Sequence, residues 1–167
     1  MSASLADLKR LMLGPPRWTL AAAESLTCGR VQARVGELSG ASTFFLGGIT
    51  AYGLEQKVRN LGVDRGEAER ANCVSALVAE QMACGVGRLF DSDLGIATTG
   101  YAEPAPGHDV AEPFAWWALA HRAPGGKEFL AVKSGRIECP GATRIEVQTR
   151  VADIVLQQLL EYLAQAR

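Results

Sequence analysis

Three side chains between Ala21 and Val63 have the types needed for an acyl transfer: Ser25, Tyr52 and Lys57. Ser25 follows the apolar run Trp18–Ala23 and precedes a stretch with helical periodicity, so the pattern predicts a strand, a turn and a helix. Such a turn presents its side chains at the carboxyl end of the strand, where α/β sheets bind ligands. Tyr52 closes the next β-rich run, Phe44–Tyr52. Lys57 falls five positions later, about one and a half helical turns along if Gly53 opens a helix. A serine hydroxyl is a weak nucleophile until a base takes its proton. Lysine can be that base when desolvation disfavours its ammonium form. A tyrosine hydroxyl between the two can relay the proton or hold the geometry. Backbone N–H groups at the helix start, near Thr27 to Arg30, can receive an oxyanion or a phosphate. The residues alone leave a plainer alternative open, in which Ser25 caps the helix and the other two are ordinary surface groups.

The other reactive side chains do not assemble a second site. The four cysteines, Cys28, Cys73, Cys84 and Cys139, form no CxxC pair, and their spacing suits neither zinc ligation nor a disulfide framework. Reduced thiols, partly buried, are expected, and no metal is called for. Cys28 has two readings: a thiolate favoured by a helix N-terminus, or a small packed side chain. His108 falls in a loop and His121 near a hairpin, where structural or solvated roles are expected. Arg144 and Lys133 can contact a phosphate or stand solvated.

These residues need a scaffold, and the pattern supplies one. A helix is expected over 3–12, capped by Ser4 and ended by Gly14-Pro15-Pro16. Strands are expected over 18–23, 44–52, 94–99, 114–122 and 128–134, the last two joined by the turn Ala123-Pro124-Gly125-Gly126. Helices are expected over 29–38, 54–61 (stopped by Gly62), 64–71 and 143–164, with a longer one capped by Asn72 or Ser75 and reaching Phe90. The order predicts an α/β protein: a three-layer α/β/α sandwich with a mixed, mostly parallel sheet of about five strands, in one domain over 1–167.

Composition narrows the partners. The chain has 167 residues, 48% hydrophobic and 21% charged, with a net charge of −1. Lys and Arg are not clustered, which argues against nucleic acid. No apolar run reaches about 18 residues, so no membrane helix is expected. Asp7, Lys9 and Arg10 interrupt any signal-peptide pattern, and a cytoplasmic protein is expected.

The segment AAESLTCGRVQARVGELSGASTFFLGGITAYGLEQKVRNLGV resembles the C-terminal domain of the competence/damage-inducible CinA proteins, a family that includes stand-alone nicotinamide mononucleotide (NMN) amidohydrolases. The family pattern is AESCTGG, a helix, a small-residue loop with an aromatic pair, TYSNEAK and then LGV. A looser similarity runs on through Ala97–Pro104, and through Ser134-Gly135 to Arg144. The resemblance implies that Ser25 is the nucleophile and that Tyr52 and Lys57 assist it. The implied reaction is deamidation of NMN to nicotinic acid mononucleotide and ammonia, without metal or cofactor, in a homodimer. Thr27, Cys28, Gly29, Gly100 and Arg144 become candidate substrate-binding residues. Several positions depart from the family. Leu26 and Cys28 stand where it has cysteine and glycine, Leu54 where it has asparagine, and Glu103 enters its GIAGP-like loop. Trp116 and Trp117 fill a strand that usually starts PVGTV. These changes fall around the nucleophile and imply an altered pocket. The alternatives are a substrate-shifted or inactive domain that binds a nucleotide or a partner protein, and an oligomeric module using Phe114–Trp117 and the last helix.

Overall fold

A computed structural model describes residues 4–166. In chain order the elements are α1 (Asp7–Leu13), β1 (Leu20–Glu24), α2 (Arg30–Gly36), β2 (Phe45–Thr50), α3 (Leu54–Leu61), α4 (Arg65–Arg70) and α5 (Ala76–Phe90). They continue with β3 (Leu94–Tyr101), β4 (Phe114–Arg122), β5 (Phe129–Glu138) and α6 (Arg144–Gln165). The strands form one sheet in the order β2-β1-β3-β4-β5. β1 pairs in parallel with β2 and with β3, while β3/β4 and β4/β5 are antiparallel and have the longer ladders.

The α/β class and the five strands agree with the sequence, but a mostly parallel sheet does not. The reason lies in the connections. A parallel neighbour needs a crossover, usually a helix. The first half of the chain supplies helices between strands; the loop 102–113 and the Pro/Gly turn 123–128 do not. The antiparallel ladders also carry β3 on to Tyr101 and β5 on to Glu138, past the ends expected from their hydrophobic runs.

Side chains alternate across the sheet, as the pleat requires. Leu20, Ala22, Ile96, Trp117 and Leu119 face α1, α2 and α6, where Leu8, Val31, Val151 and Leu159 complete a large-residue core. Ala21, Ala23, Ala97, Ala118 and Ala120 face α5, with Val78, Met82 and Val86 packed on them. The second face is lined by the smallest side chains, so α5 lies close to it. A Cβ on Gly95 would stand 2.0 Å from the Ala83 carbonyl oxygen.

The helix ends show how local chemistry decided. α3 occupies the expected span, and Gly62 ends it at φ +66°. Ser75, rather than Asn72, caps α5 by accepting the Val78 N–H at 3.1 Å. α1 starts at Asp7, later than expected, because Ser4 donates its N–H to the Asp7 carboxylate at 3.0 Å and so closes a turn ahead of the helix. Residues 1–3 of that expected helix lie outside the described residues. No helix among the described residues is long and apolar enough to cross a membrane.

Candidate active site

β1 ends in the middle of the sheet, and its last pairing places Ser25. The Ser25 N–H donates to the Thr98 carbonyl at 3.0 Å, and the chain then turns as the Cys28 N–H donates to the Ser25 carbonyl at 3.1 Å. The end of β2 is tied to the same edge, since the Ala51 N–H donates to the Glu24 carbonyl at 2.9 Å. α3 starts just beyond and sends Lys57 back under this edge. Lys57 Nζ lies 3.0 Å from Ser25 Oγ, 2.9 Å from the Ala51 carbonyl oxygen and 2.8 Å from that of Tyr52. Lys57 is 1% exposed and Ser25 7%.

That environment fits a lysine acting as a base. Burial pushes the Lys57 pKa below its ordinary value, and the neighbouring Cys73 opposes the shift. Among the described residues no carboxylate pairs with Lys57. As an ammonium, Nζ has three hydrogens for three acceptors. As an amine it keeps two for the carbonyls, which can only accept, and its lone pair is left facing the Ser25 hydroxyl. One geometry therefore serves both protonation states.

Tyr52 is arranged differently from the sequence expectation. Its carbonyl holds Lys57, but its side chain is 52% exposed and its hydroxyl accepts from Arg144 Nη2 at 2.7 Å. The hydroxyl does not lie between Ser25 and Lys57, so serine and lysine meet directly. Arg144 also donates through Nη1 to Glu103 at 3.0 Å.

The expected anion receptor at the start of α2 is largely filled, and the occupant is a residue that the sequence reading passed over. Glu24 is fully buried. One carboxylate oxygen accepts from Thr27 Oγ1 at 2.6 Å, the Gly29 N–H at 2.9 Å and the Val31 N–H at 3.1 Å, and the other accepts from the Gln32 N–H at 2.9 Å. A carboxylate is favoured there because unpaired N–H groups and the helix dipole both attract negative charge. The available signal was an acid at the end of an apolar strand, one turn before a helix. The Arg30 N–H donates to the Thr27 carbonyl at 3.1 Å. The Leu26 and Thr27 N–H groups have no acceptor among the described residues. They are the first donors after the serine, where acyl-transfer sites commonly place an oxyanion contact.

The remaining candidates divide. Thr27 is buried, and its hydroxyl also meets that of Thr98 at 2.8 Å, so it anchors the turn to β3. Gly29 takes φ +92° and gives its N–H to Glu24. Cys28 takes φ +48°, a left-handed conformation costing a residue with a side chain about 1–2 kcal/mol. Its thiol is exposed, not the packed side chain that was one reading of it. Gly100 is required by packing, since a Cβ there would lie 2.5 Å from the Phe114 carbonyl oxygen. It also lines a cavity of about 200 Å³ together with Leu26, Tyr52, Tyr101, Glu103 and Arg144. Ser25 and Lys57 do not themselves line it; Leu26, next in the chain to Ser25, and Tyr52, whose carbonyl holds Lys57, do.

The other reactive groups are engaged elsewhere. His121 Nδ1 meets the Tyr162 hydroxyl at 2.6 Å, and burial lowers its pKa. His108 packs by Tyr101, with ring centroids 5.9 Å apart. Lys133 meets Glu161 at 3.5 Å. All four cysteines are free thiols. Among the described residues no group of three or more His, Cys, Asp and Glu side chains is arranged to hold a metal ion.

Fold and site together define an α/β protein with a serine–lysine pair at the carboxyl edge of its sheet. The sequence matches the family described as the CinA C-terminal domain over residues 3–163, and the chain belongs to that family. A CinA-like protein of Thermosynechococcus vestitus is 39% identical over 124 residues, covering 74% of this chain and 30% of that protein. A CinA-like protein of Picosynechococcus sp. is 42% identical over 111 residues, covering 66% of this chain and 26% of that protein. The chain spans less than a third of the length of these curated relatives. Among solved structures, the competence damage-inducible protein A of Klebsiella pneumoniae superposes with a TM-score of 0.84 at 25% identity, covering 98% of this chain and 96% of that one.

Proposed function

We propose that this chain is an amidohydrolase in which Ser25 and Lys57 deamidate a pyridine carboxamide. NMN is the substrate that the family resemblance implies. The observation that carries the reading is the buried contact of 3.0 Å between Lys57 Nζ and Ser25 Oγ, with two carbonyls holding the nitrogen. Ser25 Oγ attacks the amide carbon while its proton passes to the amine of Lys57. The oxyanion is received by the Leu26 and Thr27 N–H groups. Lys57 returns the proton to the leaving nitrogen, ammonia departs, and an acyl ester remains on Ser25. Water then attacks that ester, giving a proton to Lys57, which passes it to the departing Ser25 Oγ, so the carboxylic acid is released with the serine hydroxyl and the lysine amine both restored. Tyr52 contributes its carbonyl to Lys57 and its ring to the cavity wall. A homodimer belongs to the same proposal and rests on the family resemblance; the cytoplasmic location expected from the sequence pattern is proposed with it.

A second reading, binding without turnover or a shifted substrate, is favoured by one observation: Arg144, a cation expected to meet a phosphate, is already paired with Glu103. An amidase assay separates the two. Incubation with NMN is expected to release ammonia and nicotinic acid mononucleotide, and Ser25→Ala is expected to fall to the no-enzyme blank. Full activity in Ser25→Ala overturns the mechanism. Thermal stabilisation by NMN without any deamidation supports the second reading.

A further inference from the structure

Three elements beside the site could receive an anion, and each already has a carboxylate of the chain. The N-terminus of α2 holds Glu24. The N-terminus of α6 carries Glu146, whose carboxylate turns back to accept from the Thr143 N–H at 2.8 Å and the Thr143 hydroxyl at 2.7 Å. Arg144 donates to Glu103. Of the residues lining the cavity, two are charged, Glu103 and Arg144, and they cancel. Glu24 and Glu146 cap helices and stay with the fold. Glu103 lies on an exposed loop and makes no hydrogen bond other than that to Arg144 among the described residues. It is the replaceable one of the three.

Resting on the amidohydrolase reading, we infer that Glu103 tunes substrate specificity: it pairs with the guanidinium of Arg144, so NMN is bound more weakly than its phosphate-free nucleoside. A phosphate monoester brings between one and two negative charges at neutral pH. A nucleotide phosphate placed here has to share the guanidinium with Glu103, or displace it, and lie beside its carboxylate. The phosphate-free nucleoside avoids both costs. Tyr52 holds the other side of the guanidinium through its hydroxyl, so Arg144 stays at the cavity when Glu103 loses its charge.

The test is made in a Ser25→Ala chain, where ligand is not turned over, by calorimetric titration with inorganic phosphate, with NMN and with nicotinamide riboside. Glu103→Gln is expected to tighten phosphate and NMN about five- to tenfold at low salt and to leave the riboside unchanged. The gain should vanish in Glu103→Gln/Arg144→Gln and shrink at about 0.5 M salt, where charges are screened over a few ångströms. Melting curves check that each variant is folded. Unchanged phosphate affinity in Glu103→Gln, or a gain that survives the loss of Arg144, overturns the inference. The proposed reaction fails separately: a phosphate gain in Glu103→Gln, with no amide hydrolysed by the chain carrying Ser25, removes the amidohydrolase reading and leaves the pairing of Glu103 with Arg144 standing.

Discussion

At the scale of single residues, the site turns on the proton of Lys57. Its burial lowers its pKa. In the proposed reaction the amine is the working form, so kcat/KM is expected to rise with pH along a limb centred below the ordinary lysine value of about 10.4. Stability follows by linkage. With the folded pKa below the unfolded one, the unfolded chain binds more protons between the two values, and stability climbs with pH across that window. Urea unfolding of the parent and of Lys57→Met should therefore show the parent gaining on the variant as pH rises through the window. A difference that stays flat from pH 6 to about 10.5 contradicts a lowered Lys57 pKa. Sequence made Ser25 and Lys57 legible as types, and the family pattern singled them out. What it did not convey was direction. The Tyr52 hydroxyl turns to Arg144, 92 positions away in the chain, and no local spacing encodes such a contact.

At the scale of elements, the turn 25–29 is held by Glu24 more than by its glycine. Replacing Glu24 with alanine strips the acceptors from three buried or half-buried N–H groups and leaves the Thr27 hydroxyl with Thr98 alone. The expected cost is about 3–5 kcal/mol, read by denaturant unfolding, with Glu24→Gln losing less because its amide oxygen can still accept. A loss within about 0.5 kcal/mol, the range of ordinary surface changes, would mean that the carboxylate is dispensable. α3 was legible from its brackets, Gly53 and Gly62. The filling of the α2 N-terminus was not, because its partner comes from the strand before it. Hydrophobic periodicity reports which face is buried and says nothing of which acid reaches which amide.

At the scale of the molecule, the two sides of the sheet have unequal tolerance. The side under α5 is built from alanine and glycine against a close helix; the side under α6 is built from large aliphatic residues. Ala97→Leu is expected to lose about 1–3 kcal/mol by overpacking, and Leu159→Ala about 2–5 kcal/mol by leaving a cavity. Thermal or urea unfolding checks both, and a neutral Ala97→Leu would show that α5 can move away. The layers and strand count were legible from alternating elements. The pairing was not, since a strand's own residues do not state the direction of its neighbour; the connections 102–113 and 123–128 decide that.

The two carbonyls on Lys57 have a consequence for how this site can change over time. In many catalytic constellations the base is aimed by a third side chain, and one substitution removes it. Here the aiming is done by the peptide groups of Ala51 and Tyr52, which persist under replacement of either side chain that leaves the backbone path intact. Leu26, Cys28, Leu54 and Glu103, the positions that depart from the family pattern, lie outside those two peptide groups. For the proposed amidohydrolase, this lets the pocket change while Ser25 and Lys57 keep their alignment.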